Sequence, residues 1–322
     1  MMQTLPRLFS PLYFKTALLA ACLVTAPLAQ ARDVLDWLNQ AGQAARSLNY
    51  TGTYFYHHGE HTEVMRVLHR VDGKTERNKV EVLDGPHREF IRINDEVYCH
   101  LADGKTVRVN RNKVQRFFPS VIPDNPDNLA RYYIPRLAGT DKVAGRNCQV
   151  VILEPRDGYR YAQMLWLDQA SALPLKSKTI DSHSATVSMF VFSEIEIGKQ
   201  PDKAHFDVRT AGKSLQSAGF SASANDAGWV MTPPPGYVRT FEVMRPLPGR
   251  KKTVLHRVYS DGMSNFSLFV EPALQDIHAL EGLSTEGAIN IYSRRVDGHK
   301  VTTLGEVPAV TLLEAANSVQ KK

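Results

Sequence analysis

The chain has 322 residues, with 39 Lys and Arg against 33 Asp and Glu, 43% hydrophobic residues and 22% charged ones, which excludes a disordered or collagen-like polypeptide. Net charge is only +6, and Arg250-Lys251-Lys252, the one basic triple, reads as a solvated loop, which argues against a strong nucleic-acid binder. The length suggests two domains, each able to bury a core without disulfide staples.

Residues 1–15 hold Arg7 and Lys15 and no acid, Thr16 to Leu28 is almost wholly apolar, and Ala29-Gln30-Ala31 offers the small residues that a signal peptidase reads. This predicts an export signal at 1–31, cleaved after Ala31, because the apolar run falls short of the ~20 residues that span a bilayer. Loss of Arg7 and Lys15 lowers the charge from +6 to +4 and leaves a mild bias toward acidic partners or anionic lipid. Leu19-Ala20-Ala21-Cys22 also has the form of a lipobox, which would lipidate Cys22; soluble export to the periplasm is preferred because residues 23–31 would make an oddly hydrophobic mature tail. Cys99 and Cys148 then remain in an oxidising compartment, either bridged or each a small buried residue.

Val34, Leu38, Ala41, Ala45 and Leu48 recur at helical steps, so a helix is expected over 33–48. Hairpins should follow: Tyr50 to Tyr56, Thr62 to Val71, Lys79 to Leu83, Glu89 to Ile93, Val97 to Leu101 and Thr106 to Val109 are separated by Asx-Gly and Gly-containing turns. Four prolines in 119–137 suggest a loop with a short helix. Strands resume at Cys148 to Leu153, Tyr159 to Leu167, Leu175 to Ile180 and Val187 to Ile197, completing a sheet of about nine or ten strands that must curl or pack on something. Residues 213–226 read as a linker between a large domain at 32–212 and a smaller one at 227–322. The smaller one is expected to hold strands at Val238 to Met244, Thr253 to Tyr259, Asn265 to Val270, Ala288 to Arg295 and Lys300 to Leu304, then a helix over Ala309 to Val319.

Chemistry is sparse. His57, His58 and His61 crowd one turn with Glu60 and Glu63, but a hairpin tip scatters side chains and no HExxH frame exists, so they read as solvated rather than as metal ligands. Gly-x-Ser-x-Gly, Gly-x-Gly-x-x-Gly, Walker and CxxC patterns are all missing, and no catalytic residue, metal or cofactor is expected. Aromatic residues remain. Phe117, Phe118, Tyr132, Tyr133, Tyr159, Tyr161 and Trp166 are the candidates for lining an apolar hollow that takes an acyl chain or an apolar peptide, at ~0.8 kcal/mol per buried methylene.

Several segments resemble the RseB/MucB family of periplasmic regulators: Asp33-Val34-Leu35-Asp36-Trp37-Leu38, Leu83-Asp84-Gly85-Pro86-His87-Arg88-Glu89, Arg156-Asp157-Gly158-Tyr159-Arg160-Tyr161, Leu165-Trp166-Leu167-Asp168 with Leu173-Pro174-Leu175-Lys176, Tyr259-Ser260-Asp261-Gly262 with Phe266-Ser267, and Gly305-Glu306-Val307-Pro308. They cover the mature chain in order. The resemblance implies an α+β protein, mainly antiparallel β: a large unclosed β-barrel domain similar to the LolA/LolB lipoprotein carriers, with short helices, plus a smaller C-terminal α+β domain. It implies binding of the periplasmic part of a membrane-spanning anti-sigma factor (RseA/MucA-like), which shields that factor from site-1 proteolysis and keeps the envelope-stress sigma factor inactive until lipid or lipopolysaccharide intervenes. A lipoprotein or lipid carrier is the alternative, disfavoured by the second domain. Arg294 and Arg295 are candidate contacts for acidic groups of the partner or for lipid phosphates. Self-association stays open.

Overall fold

In a computed structural model of the chain, residues 34–100, 106–110, 122–123, 126–208, 216–217, 228–246, 253–272 and 281–322 are described. Helix α1 spans 34–47, and its stripe of Val34, Leu38 and Ala41 is fully shut off from solvent.

Twelve strands follow: β1 (Tyr50–His58), β2 (His61–Asp72), β3 (Thr75–Val82), β4 (Glu89–Ile93), β5 (Glu96–His100), β6 (Thr106–Asn110), β7 (Tyr133–Val143), β8 (Arg146–Pro155), β9 (Ala162–Asp168), β10 (Pro174–Ile180), β11 (Thr186–Ile197) and β12 (Gln216–Ser217). Their spatial order is β12-β6-β5-β4-β3-β2-β1-β11-β10-β9-β8-β7, so the sheet ends on β12 and β7 and does not close. Every pairing is antiparallel except that of β12 with β6.

The second unit contains β13 (Trp229–Val230), β14 (Val238–Pro246), β15 (Thr253–Ser260), β16 (Asn265–Pro272), β17 (Gly282–Glu286), β18 (Ile289–Val296), β19 (His299–Gly305), α2 (Ala309–Asn317) and β20 (Gln320–Lys321). Six of these strands form an antiparallel sheet in the order β14-β15-β16-β19-β18-β17, and β13 pairs with β20. Turn chemistry fixes the register: Asp297 and Gly298 both take positive φ, 45° and 70°, as a tight hairpin requires.

Three local expectations change. Strand β7, Tyr133–Val143, begins inside the loop expected at 119–137, and Pro135 is tolerated there because β7 is an edge and no ladder hydrogen bond is lost. Residues 156–161 are a turn instead of the start of β9, because the Asp157 carboxylate accepts from the Tyr159 backbone N–H at 3.0 Å and from Arg160 Nε at 2.9 Å. Gln216–Ser217, inside the expected linker, adds to the large sheet beside β6. Strand β17 carried no sequence signal, since all five of its residues are exposed and no apolar alternation marks it.

Register separates the two faces of the large sheet. Val151, Leu165, Ser177, Phe190 and Tyr56 are successive partners across β8, β9, β10, β11 and β1 and share one face. On it Val34, Leu38 and Ala41 of α1 pack against Val151, Leu153, Leu165 and Leu167, and Tyr54, Phe190 and Phe192 interlock edge to face. In the small unit α2 covers one face, burying Leu312, Ala315 and Ala316 on Leu255, Phe266, Leu268 and Val301. Cys99 and Cys148 stand on β5 and β8, with seven strands between them in the sheet order, and both thiols are free.

Candidate functional site

The two units meet at a junction built from turns, and its centre is Arg160. The Asx-turn at Asp157 aims the guanidinium out of the first unit, where Nη1 donates to Asp261 Oδ2 at 2.8 Å and Nη2 to the Pro235 carbonyl at 2.5 Å. Neither side chain of the Arg160–Asp261 pair reaches solvent. Tyr132, Tyr133 and Tyr237 surround the cation, with ring centroids 4.8, 5.7 and 5.2 Å from Cζ. Asp261 is fixed from its own side, its Oδ1 accepting from the backbone N–H groups of Met263 and Ser264, while the Tyr133 hydroxyl reaches Oδ2 at 3.0 Å. An ion pair this deep persists only because almost every remaining lone pair and proton has a partner.

Gly236 explains how close the units come. Its φ is +87°, and an added Cβ would lie 2.8 Å from the Tyr132 ring. Around this centre the Tyr159 carbonyl accepts from the hydroxyls of Tyr237 at 3.0 Å and Thr311 at 2.7 Å, and the Tyr159 hydroxyl donates to Glu314 at 2.6 Å.

A second contact lies on the face of the large sheet that carries Phe190. Gln163, Thr179, Ser188 and His58 are successive partners there, and Ser188 donates to the carboxyl of Glu306 from the β19–α2 loop. Burial pushes the Glu306 carboxyl above its ordinary value, and hydrogen bonds from Ser188 and Thr179 oppose that only in part. Beside it Asn290 donates to the Tyr161 hydroxyl at 3.1 Å and to the Val307 carbonyl at 2.9 Å.

Tyr132, Tyr133, Tyr159 and Tyr161 are therefore brought together, at the junction. Trp166 pairs with Lys176 in register, one residue off Leu165, so it stands on the opposite face from Phe190, with Nε1 donating to Asp141 at 2.8 Å and the Lys176 ammonium 4.2 Å over its ring. Phe117 and Phe118 lie outside the described residues, as does the segment 1–33. Arg294 caps the end of α2 through the carbonyl and side-chain oxygens of Asn317, and Arg295 pairs with Glu281 at 2.7 Å. Sequence reasoning names Arg160, Asp261 and Glu306 only inside the segments that carry the family resemblance; for Arg160 and Asp261 the available signal is an Asp-Gly turn with aromatic neighbours, and for Glu306, in Gly305-Glu306-Val307-Pro308, there is none.

Among the described residues no group of three or more His, Cys, Asp or Glu side chains is placed to hold a metal ion, and no helix is long and apolar enough to cross a membrane. The junction offers hydrogen bonds, one buried charge pair and apolar area, which suit a clamp whose two halves separate or close on a ligand.

Comparison with known proteins covers both units. Residues 33–210 match the family model of the MucB/RseB N-terminal domain, and residues 223–320 that of the MucB/RseB C-terminal domain. The sigma factor AlgU regulatory protein MucB of Pseudomonas aeruginosa is 31% identical over 94% of this chain and 96% of its own. The sigma-E factor regulatory protein RseB of Salmonella typhimurium is 28% identical over 96% of this chain and 98% of its own. Two solved structures, the Pseudomonas aeruginosa MucA/MucB complex and MucB in complex with MucA(peri), superpose with TM-scores of 0.73 and 0.71 at 28% and 27% identity, covering 90% and 89% of this chain and 99% and 98% of theirs.

Proposed function

The chain belongs to the MucB/RseB family, and from that premise we propose that it binds the periplasmic segment of a membrane-spanning anti-sigma factor, shields it from site-1 proteolysis and so holds an envelope-stress sigma factor inactive. One observation carries this reading: both units, in order, match MucB, a sigma factor AlgU regulatory protein solved in complex with MucA(peri), including the second unit that a simple lipid carrier does not need. Export to the periplasm with cleavage after Ala31 is part of the same proposal.

Release by lipid or lipopolysaccharide requires a ligand that prefers one arrangement of the two units over another. The junction supplies a physical route. Any acyl chain or peptide that engages Tyr132, Tyr133, Tyr159 or Tyr161 competes with the contacts these residues make to Arg160, Asp261, Glu314 and Asn290, so occupancy and opening are coupled.

The test is co-purification of residues 32–322 with the periplasmic segment of the anti-sigma factor from the same genome, followed by exposure to the site-1 protease. Retention of the segment and slowed cleavage, both lost on adding lipopolysaccharide, are expected. A chain that ignores the segment and solubilises acylated lipoproteins instead is a carrier, and the regulatory reading is then wrong.

A further inference from the structure

The line along which the two units touch is not uniform. It follows the rim of the large sheet, from Arg160 and Tyr161 in the turn before β9 to His58 and Gly59 at the tip of the β1–β2 hairpin. Gln163, Thr179, Ser188 and His58, successive partners across β9, β10, β11 and β1, mark its course. Three strand spacings separate β9 from β1, about 14 Å at ~4.8 Å each.

At the Arg160 end the units interlock. Each lends a side chain to the other's core: Met263 packs against the cluster that holds Leu129, Tyr133 and Leu153, and Tyr159 against the one that holds Tyr237, Val307 and Leu312. Between them lies the Arg160–Asp261 pair, neither side chain of which reaches solvent. Parting the units here would strip two buried charges of their partners and expose apolar surface from both cores.

Toward β1 the contact thins. The Tyr161 hydroxyl is met by Asn290 at 3.1 Å, and the Ser188 hydroxyl by Glu306, and water can take the place of either partner. At the far end two glycines meet, Gly59 with φ of 60° and Gly287, in the β17–β18 turn, with φ of 57°. An added Cβ at Gly59 would lie 2.4 Å from Gly287 Cα and 2.6 Å from its carbonyl carbon. The Gly59 N–H donates to the Val187 carbonyl at 3.2 Å, which ties this tip to β11.

We propose that the protein opens as a hinge: the Arg160–Asp261 end stays joined while the Gly59 and Gly287 tips part, widening a mouth onto the face of the large sheet that carries Phe190. The difference in cost sets the direction. The far end gives up exchangeable hydrogen bonds and a backbone contact, whereas the near end would give up a buried ion pair and shared core. With the tips about 14 Å from the pivot, a rotation of about 20° separates them by about 5 Å. These mechanics belong to the seam itself and hold whether or not the partner is the one proposed above.

The test is a pair of distances measured by double electron–electron resonance on residues 32–322 carrying Cys99→Ala and Cys148→Ala. Spin labels at the exposed positions His61→Cys and Leu283→Cys report on the tips, and labels at Arg136→Cys and Val238→Cys on the near end. Gly59→Phe drives its Cβ into Gly287 whatever its rotamer, and should lengthen the tip distance by about 4 Å, one ring thickness, with the near-end distance held within about 1 Å. Gly73→Phe, at a φ of 61° with nothing within 4 Å of its added Cβ, controls for turn strain and should move neither distance. Glu306→Ala, away from the glycines, should add a longer tip population and again spare the near end; it decides alone should Gly59→Phe fail to fold. An unchanged tip distance, or a near-end distance that grows as much as the tip distance, overturns the proposal.

Discussion

Arg160 and Asp261 sit where water cannot screen or solvate them, so removing one leaves the other charged and stranded. Arg160→Met should therefore cost about 3–5 kcal/mol in urea unfolding, and Arg160→Met with Asp261→Asn should recover a measurable part of that loss. A single variant within about 0.5 kcal/mol of wild type would mean that water already reaches the pair. Glu306 predicts a pH effect at the same scale. Its folded value is raised, so its contribution to stability is fully present below the ordinary glutamate range and is lost as pH rises through the raised value. Glu306→Gln keeps a neutral group there, so the variant should gain on wild type in urea midpoint as pH climbs from 5 to 8; parallel curves would refute this. Glu76 runs the other way: burial alone would raise it, but hydrogen bonds from His69 and Arg92 outweigh that and hold it at about 2. Its contribution is present above the ordinary range and fades as pH falls through about 2, so the two windows do not overlap.

Among the elements, β1 is closely held at Gly52. An added Cβ at Gly52 would lie 2.5 Å from the Glu194 carbonyl and 2.8 Å from the Phe192 ring, beside the bulge where register shifts between Thr53 and Tyr54. Gly52→Ala should lose about 1–3 kcal/mol in denaturant unfolding, because β11 and the Tyr54–Phe192 contact must both move. Helix α2 is short, with no side-chain cap on its first turn, and Thr311 spends its hydroxyl across the junction on the Tyr159 carbonyl. Packing must then hold the helix: Leu312→Ala, at a fully buried position, should cost about 2–5 kcal/mol and expose the α2 face of the small sheet to a dye such as ANS. Unchanged dye binding and stability would place the cohesion elsewhere.

Taken whole, the molecule is two large sheets coupled by a polar seam. Hydrogen bonds from Arg160, Tyr133, Tyr237 and Thr311 cross between the units and should couple their unfolding. Calorimetry of residues 32–322 should show one unfolding transition for wild type and two for Arg160→Met, where the seam is broken and each sheet keeps its own core. Two transitions already in wild type would show that the units melt independently and that the seam adds little.

Pattern in the chain determined most of the strands and the antiparallel direction of their pairing. Period-two apolar runs with Asx-Gly turns specify antiparallel hairpins locally, and Val34, Leu38 and Ala41 fix the buried stripe of α1 at helical spacing. Edge strand β7, hidden by prolines, and β17, hidden by the lack of buried positions, show where that local code fades. Only the tertiary structure decided which aromatic residues share a site. Trp166 and Leu165 are neighbours in sequence yet face opposite ways, while Arg160 and Asp261, 101 residues apart, become one buried pair. A side chain's role there depends on burial and on partners from distant turns, which are properties of the packed molecule that no local pattern encodes.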